Sequence, residues 1–211
     1  MEIRELVTGQ LSTNCYLVFD NQTSDVVIID PGDDPDYIMR IIKDINKKPS
    51  KIIATHGHFD HVLAVTELKL AYDIPFLMHK DDEFLLKRLQ SSVKHFLGLE
   101  ADSPPLVDTY LKESDEVKIG KYILKIIETP GHTPGGISLY CKKAKVLFVG
   151  DTIFEKGGVG RTDFAYSNNK HLIKSIRKLL KLPENTVVYT GHGDKTTIRE
   201  AKIYLRNYSN I

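Results

Sequence analysis

Short apolar runs bounded by turn residues recur along the chain and predict a series of β-strands. The first two runs, residues 15–20 and 25–30, are separated by the polar segment Asn21 to Ser24, which predicts a hairpin turn. Further runs of the same kind predict strands at residues 51–55, 122–128, 137–141, 145–149 and 186–190.

Between these runs, apolar residues recur at three- and four-residue spacing, which is the period of an amphipathic helix. The first such segment begins at Asp34, a residue type that caps helices, and Pro35, which favours the first helical position. Further helices are predicted directly after residue 61, over residues 168–182 and over residues 197–207. The residues expected on the buried faces of the first three helices are Ile38, Ile41, Ile42, Ile45, Val62, Val65, Leu68, Tyr72, Leu172, Ile173, Ile176, Leu179 and Leu180.

Strands and helices alternate without a linker, a repeat or a low-complexity segment between them. This pattern predicts an α/β fold and one domain over residues 1–211, which is long enough to bury a full core. The hydrophobic fraction of 41% and the charged fraction of 27% are ordinary for a soluble globular protein.

The charge balance argues against nucleic acid and membranes as partners. The chain has 29 basic and 28 acidic residues, and a net charge of +1 provides no general attraction to polyanions. The N-terminus lacks the apolar core of a signal peptide, so a cytoplasmic location is expected. The two cysteines, Cys15 and Cys141, have no metal or redox spacing and are expected to be buried apolar residues in a reducing compartment.

One segment of the chain is unusually rich in histidine. Residues 55–61 read THGHFDH, with three histidines and an aspartate in six consecutive positions. Because the chain has 8 histidines among 211 residues, such a spacing of three is expected by chance in about one sequence in a hundred. The segment therefore indicates a metal site.

Other possible metal ligands follow predicted strands in the same way, each within a turn that contains glycine. In layered α/β folds the loops at one edge of a sheet converge on the ligand site, so we expect these residues to share one cleft. The seven residues are His56, His58, Asp60, His61, His132, Asp151 and His192.

The residue types indicate which metals such a cleft would bind. His56 and His58 with His132 would form a three-histidine group, Asp60 and His61 with His192 a mixed group, and Asp151 could bridge the two groups. Imidazole and carboxylate without thiolate suit zinc, iron or manganese, and abundant histidine favours zinc. Two divalent ions would activate a bridging water as hydroxide, which predicts hydrolysis without a serine or cysteine nucleophile.

The segments THGHFDH, ETPGHTPGG, GDTIF and TGHG resemble the successive signatures of the metallo-β-lactamase-fold hydrolases. With NCYLV, IDPG and GVGRTD, the chain resembles the short glyoxalase II-like branch from about Asn14 to about Glu200. The resemblance implies an αβ/βα four-layer sandwich of two mixed sheets flanked by helices. It also implies the same two ligand groups bridged by Asp151, with Asp60 and Asp151 as catalytic carboxylates, and a small thioester of the S-lactoylglutathione class as substrate.

Asp30, in the IDPG segment, is similar to a buried aspartate that supports the metal loop in this family. From its position alone, it would be a turn residue at the end of a strand.

Several alternatives remain open at this stage. Persulfide dioxygenases of the family share the histidine segment and GRTD but use one iron held by two histidines and an aspartate. Full-length glyoxalase II enzymes add a C-terminal helical region that helps to hold glutathione, and no such region follows His192 here, so weak glutathione binding is expected. A nuclease is disfavoured by the near-neutral charge, and a non-catalytic metal-binding module by the full set of ligands.

Other polar residues have more ordinary explanations. Arg161 and Asp163, in the glycine-rich loop 154–167, are expected to form a local ion pair in preference to contacting substrate, and Lys156 is expected to be solvated. Residues 80–106 are expected to form a helical flap whose apolar face, with Phe84, Leu85, Leu89, Phe96 and Leu97, is mainly core; the alternative is that its edge shapes the substrate pocket. Isolated histidines are more often structural than ligands, and this applies to His79, His95 and His171.

Overall fold

Two six-stranded mixed sheets packed face to face form the centre of the molecule in the computed structural model, which describes residues 1–208. The first sheet has the strand order β1-β2-β3-β4-β5-β6, antiparallel from β1 to β3 and parallel from β3 to β6. Its strands are β1 (Glu2–Thr8), β2 (Thr13–Phe19), β3 (Asp25–Ile29), β4 (Lys48–Ile53), β5 (Phe76–His79) and β6 (Thr109–Leu111).

The second sheet has the order β12-β11-β10-β9-β8-β7, and its one parallel pair is β10 with β11. Its strands are β7 (Glu116–Ile119), β8 (Tyr122–Glu128), β9 (Ile137–Cys141), β10 (Val146–Phe148), β11 (Val187–Tyr189) and β12 (Thr196–Thr197).

Seven α-helices lie among these strands in the described part of the chain. They are α1 (Pro35–Asp44), α2 (Phe59–Val62), α3 (Val65–Tyr72), α4 (Glu83–Leu86), α5 (Leu89–Leu97), α6 (Asn169–Leu179) and α7 (Ile198–Tyr204). Short 3₁₀ turns occur at Lys80–Asp82, Glu155–Gly157 and Leu205–Asn207. No helix within residues 1–208 is long and apolar enough to cross a membrane.

Alternating residues of the central strands explain the layering. On β3, Val26 and Ile28 pack with residues of the helices that cover the first sheet, whereas Val27 and Ile29 pack against the second sheet. A third apolar layer joins β10 and β11 to α6 and α7. Because side chains point alternately to the two faces of a strand, a strand buried on both faces needs a continuous apolar run. The predicted α/β four-layer sandwich is therefore confirmed.

The structure corrects details of the predicted helices. Asp34 does precede α1, but it has a left-handed φ of 54° and makes no side-chain cap; its Oδ2 accepts a hydrogen bond from the backbone of Gly9 instead. The single helix predicted after residue 61 is two helices, α2 and α3, separated at Leu63 and Ala64.

The flap, residues 80–106, is also only partly as predicted. Leu86, Leu89 and Val93 pack into the core of the first sheet. Phe96, which was expected to be core, is 54% exposed and stacks on Phe59 with their ring centroids 5.7 Å apart.

All the predicted strands are present: β8 and β9 have the predicted bounds, and the other five have shifted ends. Five further strands escaped prediction: β1, β5, β6, β7 and β12. The hairpin between β2 and β3 is present at residues 20–24. Both cysteines are free and buried, as expected. The loops that follow β4, β8, β10 and β11 lie at one edge of the two sheets, where they bring together the residues described next.

Candidate metal centre

The three histidines of the first ligand group, His56, His58 and His132, point their ring nitrogens at one another. Nε2 of His56 lies 3.1 Å from Nδ1 of His58, and Nε2 of His132 lies 3.0 Å from the same Nδ1 atom. The loops after β4 and β8 place these residues. His58 and His132 meet here although they are 74 positions apart in the sequence. Three imidazole nitrogens that converge in this way can hold one metal ion.

The second ligand group consists of Asp60, His61 and His192. Oδ2 of Asp60 lies 3.3 Å from Nε2 of His192 and 3.7 Å from Nε2 of His61. Asp60 and His61 lie in the first turn of α2, and His192 lies in the loop after β11. The helix turn brings both residues of α2 beside His192, and the ring centroid of His61 also lies 4.1 Å from that of His56 in the first group.

Asp151 lies between the two groups. Its Oδ1 is 3.5 Å from Nε2 of His61, and its Oδ2 is 3.5 Å from Nε2 of His132 and 3.7 Å from Nε2 of His192. One carboxylate oxygen is thus near the second group and the other is near both. This is the arrangement that a bridging carboxylate requires.

The donor atoms fit a pair of divalent ions. Within each of three sets, namely the two groups and the set of His56, His61 and Asp151, the possible ligand atoms all lie within 4.8 Å of one another. Among the described residues, Nε2 of His61 and Oδ1 of Asp151 are two of the few buried side-chain polar atoms without a hydrogen-bond partner. A buried polar atom without a partner is costly, and a metal ion would satisfy both. Nitrogen and carboxylate donors suit zinc, iron and manganese.

The outward nitrogen of each histidine in the first group has a partner. Nδ1 of His132 lies 2.8 Å from the carbonyl oxygen of Arg161, Nδ1 of His56 lies 3.2 Å from Oγ1 of Thr55, and Nε2 of His58 lies 2.8 Å from the hydroxyl of Tyr166. Such contacts orient the rings and select the tautomer that leaves the inward nitrogen free for a metal. His58 is therefore oriented oppositely to its two neighbours, with Nδ1 inward.

The histidines of the second group are supported by different atoms. Nδ1 of His192 lies 3.0 Å from the carbonyl oxygen of Leu11, in the loop before β2. Nδ1 of His61 lies 3.1 Å from Oδ2 of Asp30. That contact is within ion-pair distance but is too poorly aligned to count as a hydrogen bond.

Asp30 lies at the end of β3 with a left-handed φ of 51° and is 1% exposed. Its Oδ1 accepts a hydrogen bond from the backbone N–H of Thr55 at 2.6 Å, and its Oδ2 accepts one from the Thr55 hydroxyl at 2.7 Å. The residue is thus a turn residue that also supports the start of the histidine segment.

Burial and neighbouring charges divide the cluster into neutral and charged groups. Burial, reinforced by the nearby His132, lowers the pKa of His58 to about 3, and burial with the other histidines holds the pKa of His56 well below its usual range. Burial alone would raise the pKa of Asp151, but the positive charge of His61, with those of His132 and His192, lowers that pKa overall. Burial alone would lower the pKa of His61, but the charges of Asp60 and Asp151 raise it well above its usual value.

A family model described as the metallo-beta-lactamase superfamily matches residues 8–192. The chain belongs to this superfamily. Its relatives include a probable metallo-hydrolase of Bacillus subtilis, YqgX, with 37% identity over 94% of this chain and 93% of that protein. They also include the hydroxyacylglutathione hydrolase GloC of Haemophilus influenzae, with 34% identity over 96% of this chain and 95% of that protein.

Solved structures agree with this assignment. The B3 metallo-beta-lactamase BLEG-1 has 32% identity and a TM-score of 0.88, and the alignment covers 96% of this chain and 97% of that one. TTHA1623, solved in a di-iron-bound form, has 34% identity and a TM-score of 0.86 over 95% and 96% of the two chains. ETHE1 from Myxococcus xanthus has 27% identity and a TM-score of 0.79 over 97% and 83%. These structural neighbours thus include a B3 metallo-beta-lactamase and a protein solved in a di-iron-bound form.

In this superfamily member, a cleft of about 240 Å³ opens onto the ligand groups. Its apolar lining consists of Leu11, Leu85 and two stacked aromatic pairs, Phe59 with Phe96 and Phe164 with Tyr166. The rings of Phe164 and Tyr166 stack at 5.3 Å with an interplanar angle of 9°. The edge of the flap therefore shapes the cleft, which was the less favoured of the two expectations for that segment.

A larger groove of about 870 Å³ lies elsewhere, on the outer face of β8. It is lined by several lysines and by Ile123, Ile127 and Tyr140, and by none of the seven ligand candidates. Its size therefore does not make it the reaction site.

The other residues singled out in the sequence are peripheral. Arg161 forms the expected ion pair with Asp163, with Nε donating at 3.0 Å and Nη2 at 2.8 Å, although it also lines the cleft. Lys156 is exposed and pairs with Glu155 at 3.2 Å. The three isolated histidines, His79, His95 and His171, belong to none of the ligand sets found among residues 1–208.

Two residues near the ligands escaped the sequence analysis: Tyr166, described above, and Asp82, which is fully buried beneath the histidine segment. Neither residue belongs to a ligand pattern. The signal for Asp82 was a carboxylate within the otherwise apolar face of the flap. Tyr166 offered no signal beyond an aromatic residue in a polar loop.

Proposed function

We propose that this protein is a dinuclear metal-dependent hydrolase that cleaves a small thioester of the S-lactoylglutathione class. The observation that carries the proposal is the pair of ligand groups, joined by Asp151, at the base of an apolar cleft. The end-to-end similarity to a hydroxyacylglutathione hydrolase supports the choice of a thioester.

Two bound divalent ions would supply an activated water and polarise the thioester carbonyl. The seven side chains of the cluster would hold these ions. The depressed pKa values of His56 and His58 keep both rings neutral at pH 7, and neutral imidazole is the form that binds metal. Asp60 and Asp151 have lowered pKa values and remain ionised, so they balance the charge of the metals.

The walls of the cleft suit an acyl group with an apolar surface. The rings of Phe59, Phe96, Phe164 and Tyr166, which line the cleft, would pack against the acyl group and exclude water from it. A thiolate is a good leaving group, so this chemistry does not require a dedicated acid to protonate it. Neither cysteine is available as a nucleophile, because Cys15 and Cys141 are both buried in strands.

Zinc is the proposed resident metal, because five of the seven ligands are histidines. Both free cysteines are buried and unpaired, which suits the reducing cytoplasm as the location. The physiological partner is then a small molecule, with neither nucleic acid nor membrane involved.

The test is a parallel assay on protein of known metal content. Hydrolysis of S-lactoylglutathione, oxygen uptake with glutathione persulfide, and hydrolysis of a chromogenic cephalosporin are measured on the same preparation, with metal-stripped protein as the control. Thioester hydrolysis that is lost on stripping and restored by about two zinc ions per chain is the expected result.

The other outcomes identify the alternatives. Oxygen uptake without hydrolysis, with one iron per chain, would assign the protein as a mononuclear iron persulfide dioxygenase. Cephalosporin hydrolysis without thioester hydrolysis would favour a β-lactamase activity, as in the B3 metallo-beta-lactamase BLEG-1. Either result would refute the thioester proposal.

A further inference from the structure

The carboxylate of Asp82 is completely buried and accepts three hydrogen bonds. It lies in the 3₁₀ turn Lys80–Asp82 that follows β5, and its relative exposure is 0%. Its Oδ2 accepts from the backbone N–H of Gly57 at 2.9 Å and from the hydroxyl of Thr133 at 2.7 Å. Its Oδ1 accepts from the backbone N–H of Gly135 at 2.6 Å.

These donors belong to the two loops that hold the first ligand group. Gly57 lies between His56 and His58, and Thr133 directly follows His132. The carboxylate therefore bonds to both loops at positions adjacent to the ligands.

The fit around the carboxylate is close. A Cβ atom on Gly57 would lie 2.8 Å from the carbonyl oxygen of Asp82, and a Cβ atom on Gly135 would lie 2.7 Å from its backbone nitrogen and 2.8 Å from its Cγ. Both distances are shorter than a Cβ can tolerate, so only glycine lets the two N–H groups reach the carboxylate. Asp82 and the two glycines are thus complementary in shape as well as in hydrogen bonding.

A carboxylate in this position is not explained by stability alone. A buried charge is costly unless it is fully hydrogen-bonded, and apolar residues of similar volume are often at least as stabilising. Asp82 does not line the cleft, and it belongs to none of the three ligand sets, so it neither contacts substrate nor binds metal directly.

We propose that Asp82 is a positioning residue that sets the distance between the His56–His58 loop and the His132 loop, and so completes the first ligand group. The inference rests on the metal binding in the proposed function but not on its substrate. Loss of this carboxylate would let the two loops separate, which would weaken the first metal position selectively. None of the three bonds involves a residue of the second group, whose members lie on α2 and the loop after β11.

The Asp82→Asn variant tests this role. An amide has only one acceptor oxygen. Its NH₂ group would therefore face the backbone N–H of Gly57 or of Gly135, each of which now donates a hydrogen bond to the carboxylate. The affinity for cobalt, as a spectroscopic substitute for zinc, is measured by competition with a chelator. It is measured in two backgrounds: His192→Ala, which leaves the first group intact, and His58→Ala, which leaves the second group intact.

In the His192→Ala background, Asp82→Asn should weaken cobalt binding by about 10- to 100-fold, the usual range for residues that orient metal ligands. In the His58→Ala background, the same change should alter the affinity by no more than about twofold, since independent sites act additively.

Asp20→Asn is a matched control. Asp20 is also buried and also accepts backbone hydrogen bonds, from Gln22 at 3.1 Å and from Lys121 at 3.0 Å, but it joins a turn to a distant loop and contacts no ligand loop. The Asp20→Asn variant should have a lower melting temperature but an unchanged cobalt affinity in either background.

Thr133 provides a second test if Asp82→Asn does not fold. Thr133→Val removes one of the three hydrogen bonds at nearly constant volume, whereas Thr133→Ser keeps the hydroxyl. Thr133→Val should weaken cobalt binding in the His192→Ala background by about tenfold, the lower end of the range for the loss of one hydrogen bond to a charged group, and Thr133→Ser should not.

The inference is overturned if Asp82→Asn, or Thr133→Val in its place, leaves the first position unchanged, or weakens both positions equally. Cobalt affinity is measured without substrate, so the two proposals are tested separately. If the protein does not hydrolyse thioesters but Asp82→Asn weakens cobalt binding only in the His192→Ala background, the proposed substrate is refuted and the role of Asp82 is supported.

Discussion

The hydroxyl of Tyr166 lies 2.8 Å from Nε2 of His58, on the side of the ring opposite the Nδ1 atom that faces His56 and His132. Burial, with the nearby charge of Asp82, raises the pKa of Tyr166 to about 12, so the phenol is neutral at pH 7. The neutral hydroxyl can accept a hydrogen bond from the Nε2–H group of His58. The Nδ1 atom of this tautomer then carries no proton and is free to bind a metal. This contact connects the lining of the cleft to a candidate metal ligand.

Tyr166→Phe should lower the metal affinity of the first ligand group, which contains His58, by about tenfold. The change removes the partner of Nε2 but keeps the ring that stacks on Phe164. Metal affinity is measured by chelator competition, with Tyr110→Phe as the control because the Tyr110 hydroxyl donates to Glu83 at 2.7 Å. Equal affinities in both variants and the parent would show that the Tyr166 hydroxyl does not orient His58.

Asp151→Ala should lose metal and nearly all hydrolytic activity while the fold survives. Its carboxylate lies between the two ligand groups, whereas the apolar layers of the sheets do not depend on it. Metal content, activity and melting temperature are compared with those of Asp163→Ala, which removes an exposed carboxylate from the neighbouring loop. Two metals per chain and full activity in the Asp151 variant would rule out a bridging role.

Phe96→Ala should raise KM for the thioester by roughly 3- to 10-fold with little change in kcat. The side chain is 54% exposed and forms part of the cleft wall, so its loss removes binding surface shared by the substrate and the transition state. Ile203→Ala, at 65% exposure and outside the cleft, is the control for stability and general surface effects. An unchanged KM would mean that the acyl group does not contact this wall.

Metal-free protein should be most stable near its histidines' ordinary pKa of 6.5. Burial, and then the nearby His132, lowers the folded-state pKa of His58 to about 3. As the pH falls below 6.5, the unfolded chain therefore takes up a proton at this residue that the folded chain does not. The free energy of unfolding decreases as a result. His61 acts in the opposite direction. The nearby Asp60 and Asp151 outweigh burial and raise its pKa, so its contribution is complete below 6.5 and is lost as pH rises through the folded-state pKa.

Urea unfolding of chelator-treated protein between about pH 5 and pH 8 measures this profile. His58→Gln should flatten the acidic side and His61→Gln the alkaline side. A profile without a maximum, unaffected by either substitution, would contradict these pKa directions.

Local signals in the sequence determined much of the fold. The hairpin at residues 20–24, the extent of α6 and the placement of the ligand residues after strands all follow from short-range patterns of apolar and turn residues. The strands that escaped prediction are short or largely exposed: β1 has two buried residues out of seven, and β7 has four residues in all. Such strands are stabilised by their neighbours in the sheet, and the local sequence does not specify those neighbours.

The seven residues of the candidate metal centre could likewise be proposed from the sequence, because histidine and aspartate spacing at strand ends is a local property. Only the tertiary structure decided which ring nitrogen each histidine presents and what supports it. His58 depends on Tyr166, 108 positions away, and the carboxylate of Asp82 reaches Gly57 across 25 positions and Thr133 across 51. These contacts form because separate loops meet at one edge of two sheets, and the orientation of a side chain in such a meeting depends on partners that no local pattern identifies.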